Sequence, residues 1–212
     1  MAAPLTPERI VDAAITMADR DGLDGLSMRR LGAELGVDPM SIYHHVRDKD
    51  RLLALMIDRV VTDIHPVRDG EWTDALRRTL LGARGTMLRH PWAAKVLAAG
   101  VEPTPAVIGH VDAVVGILRG GGLSIALAHH ALHVLGSRIL GFSQDLFDDA
   151  ADPRPDAAAR EAQAVAWADT LPHIAELARA ADHDGGLGGC DDDEEFAFAL
   201  DLIIDGLASR RG

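Results

Sequence analysis

The sequence predicts an all-α chain: an amino-terminal helix-turn-helix three-helix domain followed by a larger helical domain. Three observations carry this. Hydrophobic residues make up 48% of the 212 residues while aromatic residues reach only 4%, and alanine and leucine dominate over β-branched and aromatic types, which favours helix. Apolar residues recur at helical spacing, with no sustained alternation of the strand kind. Glycine and proline fall between the periodic segments, where they mark ends rather than interiors.

Taken in order, the pattern predicts helices at about 7–21, 28–35, 39–45, 49–64, 72–90, 92–99, 104–119, 124–149, 155–181 and 192–209. Asp21-Gly22 ends the first. Ser27 is a good cap for the second, because its hydroxyl can accept from the free amides at a helix start. Leu26, Leu31 and Leu35 share one face of it. Gly36 tolerates the left-handed conformation with which the chain leaves that helix. Val37 pins the turn to the core. Asp38 then caps a two-turn helix that begins with Pro39, a residue suited to the first helical position. Ile42 and Val46 point inward, leaving Met40, Ser41, Tyr43 and His44 outward. Asp48 or Lys49 opens the next helix. Pro66 to Gly70 reads as an inter-domain link, and Pro91, Pro103, Pro105, the Gly120–Gly122 run and Asp152-Pro153 set the later boundaries. The stretch 182–195, DHDGGLGGCDDDEE, reads as an acidic, glycine-rich loop.

Residues 26–52 therefore form two short helices around a tight turn and the start of a third, an arrangement able to set a helix in the DNA major groove. Here the chain resembles a known family. The run LGVDPMSIYHHVRDKDRLL is similar to the tetracycline-repressor (TetR) family, whose short recognition helix carries a tyrosine and is followed by a lysine opening the linker helix. PERIVDAAITMADRDGLDGLSMRRLG resembles that family's first helix and entry, and EFAFALDLIIDGL its final helix. RHPWAAKV, the glycine-rich turn and LSIALAHHALHVLGSRILGF resemble the ligand domain of the tetracycline-repressor branch.

The resemblance implies a DNA-binding domain at 1–48, a linker helix at 49–65 and a ligand-binding and dimerisation domain at 66–212. It implies a ligand-responsive repressor that binds double-stranded, palindromic operator DNA as a homodimer through about 124–149 and 192–209. On the final helix, Phe196, Leu200, Ile203, Ile204 and Leu207 make the apolar stripe expected at that interface. The DNA face expected is Ser27, Arg29, Pro39, Met40, Ser41, Tyr43, His44 and Lys49. Of Arg29 and Arg30, one is expected on phosphate and the other on a carboxylate. His65 falls where the tetracycline repressor has a pocket histidine, but the family's magnesium-binding histidine falls on Leu97 and its pocket glutamine near Val114. The implied pocket is thus largely apolar, lined by His65, Met87, Leu97, Val114, His129 and Leu132, and its effector is a small, largely apolar molecule.

Charge and composition bound the alternatives. The net charge is −12. Residues 1–66 hold eight Lys/Arg against eleven Asp/Glu, so most of the excess lies beyond them. DNA meets the local patch, where Arg29, Arg30, Arg47, Lys49 and Arg51 gather. One cysteine, Cys190, excludes an internal disulfide and fits a cytoplasmic protein. No apolar run reaches membrane-spanning length. No serine elbow, CxxC or phosphate loop occurs, so no catalytic residue, metal or cofactor is expected. His129, His130 and His133 form HHxxH. With His129 and His133 one helical turn apart, the second reading is a helical metal sensor or metal-dependent enzyme. A third is an architectural DNA-binding protein without an effector.

Overall fold

Side-chain caps at the ends of the short amino-terminal helices set the geometry of everything that follows. The computed structural model describes residues 4–100, 103–141, 157–180 and 192–211. Cys190, residues 182–191 of the expected acidic loop and the expected helical residues 142–149 lie outside them. In α1 (Pro7–Gly25), Thr6 accepts from the Arg9 amide at 3.3 Å. Gly22 breaks this helix, as expected, with φ 69° and ψ 177°, a conformation open to glycine because it has no Cβ. In α2 (Met28–Leu35), Ser27 accepts from the Arg30 amide at 3.2 Å, and Gly36 closes the helix at φ 68°. In α3 (Pro39–Tyr43), Asp38 accepts from the Met40 amide at 2.8 Å. In α4 (Lys49–Thr62), Asp48 accepts from the Arg51 amide at 2.7 Å.

The chain continues as α5 (Trp72–Arg89), α6 (Pro91–Ala98), α7 (Pro105–Gly120) and α8 (Ile125–Gly141). Then come α9 (Ala157–Trp167), α10 (Pro172–Ala180) and α11 (Asp192–Ala208), with no strand among the described residues. The chain divides into two compact units, Met1–Gly141 with Ile203–Gly212, and Phe142–Leu202.

In the first unit, α4 is the central strut. Leu52, Met56, Ile57, Val60 and Val61 on it are buried, and it packs against α1, α5, α6 and α7. One hydrophobic cluster runs from Ile10 and Met17 on α1 and Ile42 on α3, through α4, to Met87 on α5 and Trp92 and Val96 on α6. The connector 63–71 is tied down where the Val67 amide donates to the buried Thr79 hydroxyl at 2.9 Å.

In the second unit, α9 and α10 pack against each other. The single helix expected over 155–181 is therefore two. Residues 168–170 turn, the Leu171 amide bonds the Trp167 carbonyl at 2.7 Å, and Pro172 starts α10. The proline has no amide hydrogen and its ring would strike the preceding turn of a continuous helix.

The turn from α2 to α3 passes close to the α-carbon of Gly32. A Cβ on Gly32 would lie 3.0 Å from the Val37 carbonyl oxygen and 3.2 Å from the Pro39 ring. Gly32→Val is expected to lower stability by about 1–3 kcal/mol through overpacking. Thermal unfolding followed by circular dichroism measures this, and an unchanged midpoint would show that the turn yields freely.

Candidate nucleic-acid interface and effector body

The helix pair α2–α3 is anchored from beneath by Leu31, Ile42 and Val46, each 0% exposed. What remains outside is a polar and aromatic surface. Met40 is 63% exposed and Tyr43 43%, and Arg29, His44 and Lys49 are exposed too. Ser27, Pro39 and Ser41 are half-buried at its edge, with the Ser27 hydroxyl engaged as the α2 cap.

The two adjacent arginines separate. Arg30 donates to the Gly25 carbonyl and to Asp21 Oδ2, both at 2.7 Å. Arg29 is exposed and has no partner among the described residues. Lys49 is the first residue of α4, where the positive end of the helix dipole makes a cation unfavourable unless an anion stands nearby. It has no partner among the described residues. Its neighbour Asp48 is held below the ordinary carboxylate range, first by the Arg51 amide and then by Arg47. A phosphate set between Tyr43 and Lys49 would meet a phenol and an ammonium on a rigid corner.

The rest of the first unit is joined to this corner by two carboxylates. Asp19 Oδ1, on α1, accepts from Trp92 Nε1 at 2.6 Å and from His90 Nδ1 at 2.8 Å. Because a carboxylate only accepts, the His90 tautomer carries its proton on Nδ1. α6 has no side-chain cap hydrogen bond from its own N-cap residue. Asp58 Oδ1, on α4, accepts from the Ala106 amide at 3.0 Å, in the first turn of α7.

The expected effector residues are spread out. Met87 is buried and Leu97 half-buried, and both meet in the core shared by α1, α4 and α6. Val114 is buried on α7, and Leu132 is half-buried and His129 exposed on α8. His65 is exposed beyond the end of α4. None of these six lines either of two surface clefts. One, about 590 Å³, lies between α1, α4 and α6, with Arg47, Arg51 and Lys95 on its walls. The other, about 490 Å³, lies between α5 and α7, with Trp72, Asp112 and Arg211.

Sequence reasoning missed one polar group. His110 Nδ1, on α7 one turn before Val114, is buried without a hydrogen-bond partner among the described residues. A lone histidine in an apolar helix carries no pattern to mark it. Burial lowers its pKa from the ordinary 6.5, so the ring is neutral near pH 7. An unsatisfied buried nitrogen costs about 1–3 kcal/mol, a cost a bound polar atom removes. Among the described residues, no group of three His, Cys, Asp or Glu side chains is placed to hold a metal ion, and no helix is long and apolar enough to cross a membrane.

A short capped recognition helix on a buried linker helix, set on a larger helical body, defines a helix-turn-helix DNA-binding regulator. The chain belongs to the TetR family of bacterial transcriptional regulators, which are not enzymes. Residues 10–56 match the family described as "Bacterial regulatory proteins, tetR family". Residues 66–211 match the one described as "Tetracyclin repressor-like, C-terminal domain". The transcriptional repressor DrrR1 of Streptomyces coeruleorubidus is 32% identical over 98% of this chain and 80% of its own length. The class A tetracycline repressor of Escherichia coli transposon 1721 is 29% identical over 98% and 92%. The crystal structure of ActR from Streptomyces coelicolor with actinorhodin superposes with a TM-score of 0.77 at 29% identity, covering 99% of this chain and 100% of that one.

The half-buried His110 ring has a pH consequence. Because the folded pKa of His110 is depressed, the unfolded chain takes up its proton first as pH falls below about 6.5. Stability is therefore lost from that point downward, until pH passes the folded value. His110→Gln is expected to flatten this part of the stability–pH curve relative to the parent. Urea unfolding from pH 7.5 to 5.0 tests it, and parallel curves for the two proteins would contradict it.

Proposed function

We propose that this protein is a ligand-responsive repressor that binds a palindromic operator as a homodimer and leaves it when a small, largely apolar effector binds the helical body. The observation that carries the reading is the physical continuity between exposed Tyr43 and the interior of that body. One apolar cluster and two carboxylate links join α1 and α4 to α6 and α7. The relatives support the direction: DrrR1 is a repressor by name, and ActR is a TetR family protein whose crystal structure holds actinorhodin.

In this reading Arg29, Tyr43 and Lys49 hold phosphate while Met40, Ser41 and His44 face the groove, with Ser27 and Pro39 shaping its edge. The effector seats among the apolar residues Met87, Leu97, Val114 and Leu132. His110 meets its polar atom, and His65 and His129 stand outside as rim groups. An effector releases DNA only to the extent that it binds the released state more tightly. The movement passes along α4 and changes the separation of two heads that fit successive major grooves only near one helical repeat, about 34–36 Å.

Dimerisation is assigned to 124–149 and 192–209, with one change in the residues. Phe196, Leu200, Ile204 and Leu207 are buried within the chain and Ile203 is half-buried. The apolar side chains that α11 exposes are Phe198 and Leu202, and those of α8 are Ile125 and Val134.

With an operator selected from random duplexes, Tyr43→Ala is expected to weaken binding by about 1–3 kcal/mol, the scale of one good contact. Lys49→Ala should flatten the salt slope by about one unit on operator and random DNA alike. Gel-shift titration at several salt concentrations decides, and unchanged affinity in both variants would refute the DNA face.

Asp19→Asn should retain operator binding while reducing effector-driven release, once a screen by thermal shift supplies an effector. Full release by the variant would remove Asp19 from the coupling path. Leu202→Glu should sediment as a folded monomer, and a folded dimer would exclude this face from the interface.

A further inference from the structure

The cleft of about 490 Å³ between α5 and α7 shares no residue with the DNA face, with the proposed effector residues or with the apolar side chains assigned to the dimer. All of its walls lie outside 124–149 and 192–209. Each wall carries one base and one acid. Arg68 and Glu71 stand where the connector enters α5, and Asp112 on α7 faces them together with Arg211 beyond the end of α11. All four are exposed. Arg68, Glu71 and Asp112 have no side-chain partner among the described residues. Arg211 makes one long contact, from Nη1 to the Gly121 carbonyl at 3.4 Å.

Between these charges stands Trp72, half-buried. Its indole rests against Gly121, where a Cβ would fall 2.5 Å from the ring, so the ring is a fixed platform. Its N–H has no partner among the described residues, whereas an enclosed tryptophan N–H usually finds one. Along the other wall, Asp112, Gly116 and Gly120 recur every fourth residue on one face of α7, a floor about 12 Å long at the helical rise. A Cβ at Gly116 or Gly120 would meet nothing within 4 Å. Alanine would fit at both and strengthen the helix; glycine keeps the floor bare.

We propose that this cleft binds a neutral mono- or disaccharide, at a site separate from that of the apolar effector. Two guanidiniums and two carboxylates leave the cleft without net charge, and each wall mixes the two signs. A charged ligand would therefore face a like charge on either side. A guanidinium only donates and a carboxylate only accepts, while a hydroxyl does both. Sugar hydroxyls donate to Glu71 and Asp112 and accept from Arg68 and Arg211, bonds strengthened by the charged partner. The C–H face of a sugar ring lies on the indole, whose face is negative, and the Trp72 N–H at the ring edge is a further donor. The bare floor of α7 leaves room for one or two rings.

The test is saturation-transfer NMR, followed by calorimetry, of the full chain with glucose, galactose, rhamnose, N-acetylglucosamine and maltose. At least one is expected to bind, with transfer strongest at its ring C–H groups, and neither acetate nor ethylenediamine at the same concentration should displace it. Arg68→Ala and Asp112→Ala should each weaken binding by about tenfold or more, the scale of one lost hydrogen bond to a charged group. Gly116→Leu places a side chain in the open cleft, where it meets no neighbour, and should abolish binding without lowering the melting temperature. Tyr43→Ala, outside the cleft, should bind sugar as the parent does. The altered positions are exposed, and circular dichroism confirms folding. Absence of saccharide binding by the parent, displacement by either charged probe, unchanged affinity in both alanine variants of the cleft, or binding that survives Gly116→Leu overturns the assignment.

Discussion

The structure depends on the burial of α4 along nearly its whole length. A fourteen-residue helix standing alone is marginal in water, and here it has no need to stand alone. Leu52, Met56, Val60, Ile57 and Val61 place apolar groups around much of its circumference, and four other helices take them up. The helix that leaves the DNA-reading corner is therefore part of the core of the larger body and not a tether between two bodies. It cannot tilt without repacking that core, and close-packed cores move between discrete arrangements rather than deform smoothly.

Carboxylates appear in this architecture in two capacities. Asp38 and Asp48 act locally, each on an amide two or three residues ahead, and so fix the entry angles of α3 and α4. Asp19 and Asp58 act at long range, on groups 73 and 48 residues away. Together with Asp21, which holds Arg30, they account for part of the acidic excess in the amino-terminal residues. That excess looks adverse for a DNA-binding segment until the partners are known. Of these aspartates, Asp21 and Asp48 face arginines directly, while Arg29 and Lys49 stand exposed at the outer corner.

How far the sequence could be read follows the range of the interactions. The caps Ser27, Asp38 and Asp48 and the turn at Gly36 are legible because each involves neighbours within a few positions. The boundaries of α2, α4, α5 and α7 are legible for the same reason. The break between α9 and α10 was missed although Pro172 marks it, because the alanine-rich pattern runs on across it. On α11 the apolar residues are visible but their phase is not. Phe198 and Leu202 are as hydrophobic as Phe196 and Leu200, and only tertiary packing decides which pair turns outward. The Asp19–Trp92 bond and the orphaned His110 nitrogen leave no local trace at all.

The Asp58–Ala106 bond has a consequence of another kind. α7 already has its own cap, since Thr104 accepts from the Val107 amide at 3.4 Å. The helix can form whether or not Asp58 reaches it, so the contact adds little to whether α7 exists and much to where it stands. A redundant bond of this sort behaves as a position gauge: intact only when two separately stable parts are in register, and free to open without unfolding either. Variation at position 58 would then be almost invisible to assays of expression and melting. It would surface only in how firmly α4 and α7 keep their register, a property that can be adjusted while the fold is left alone.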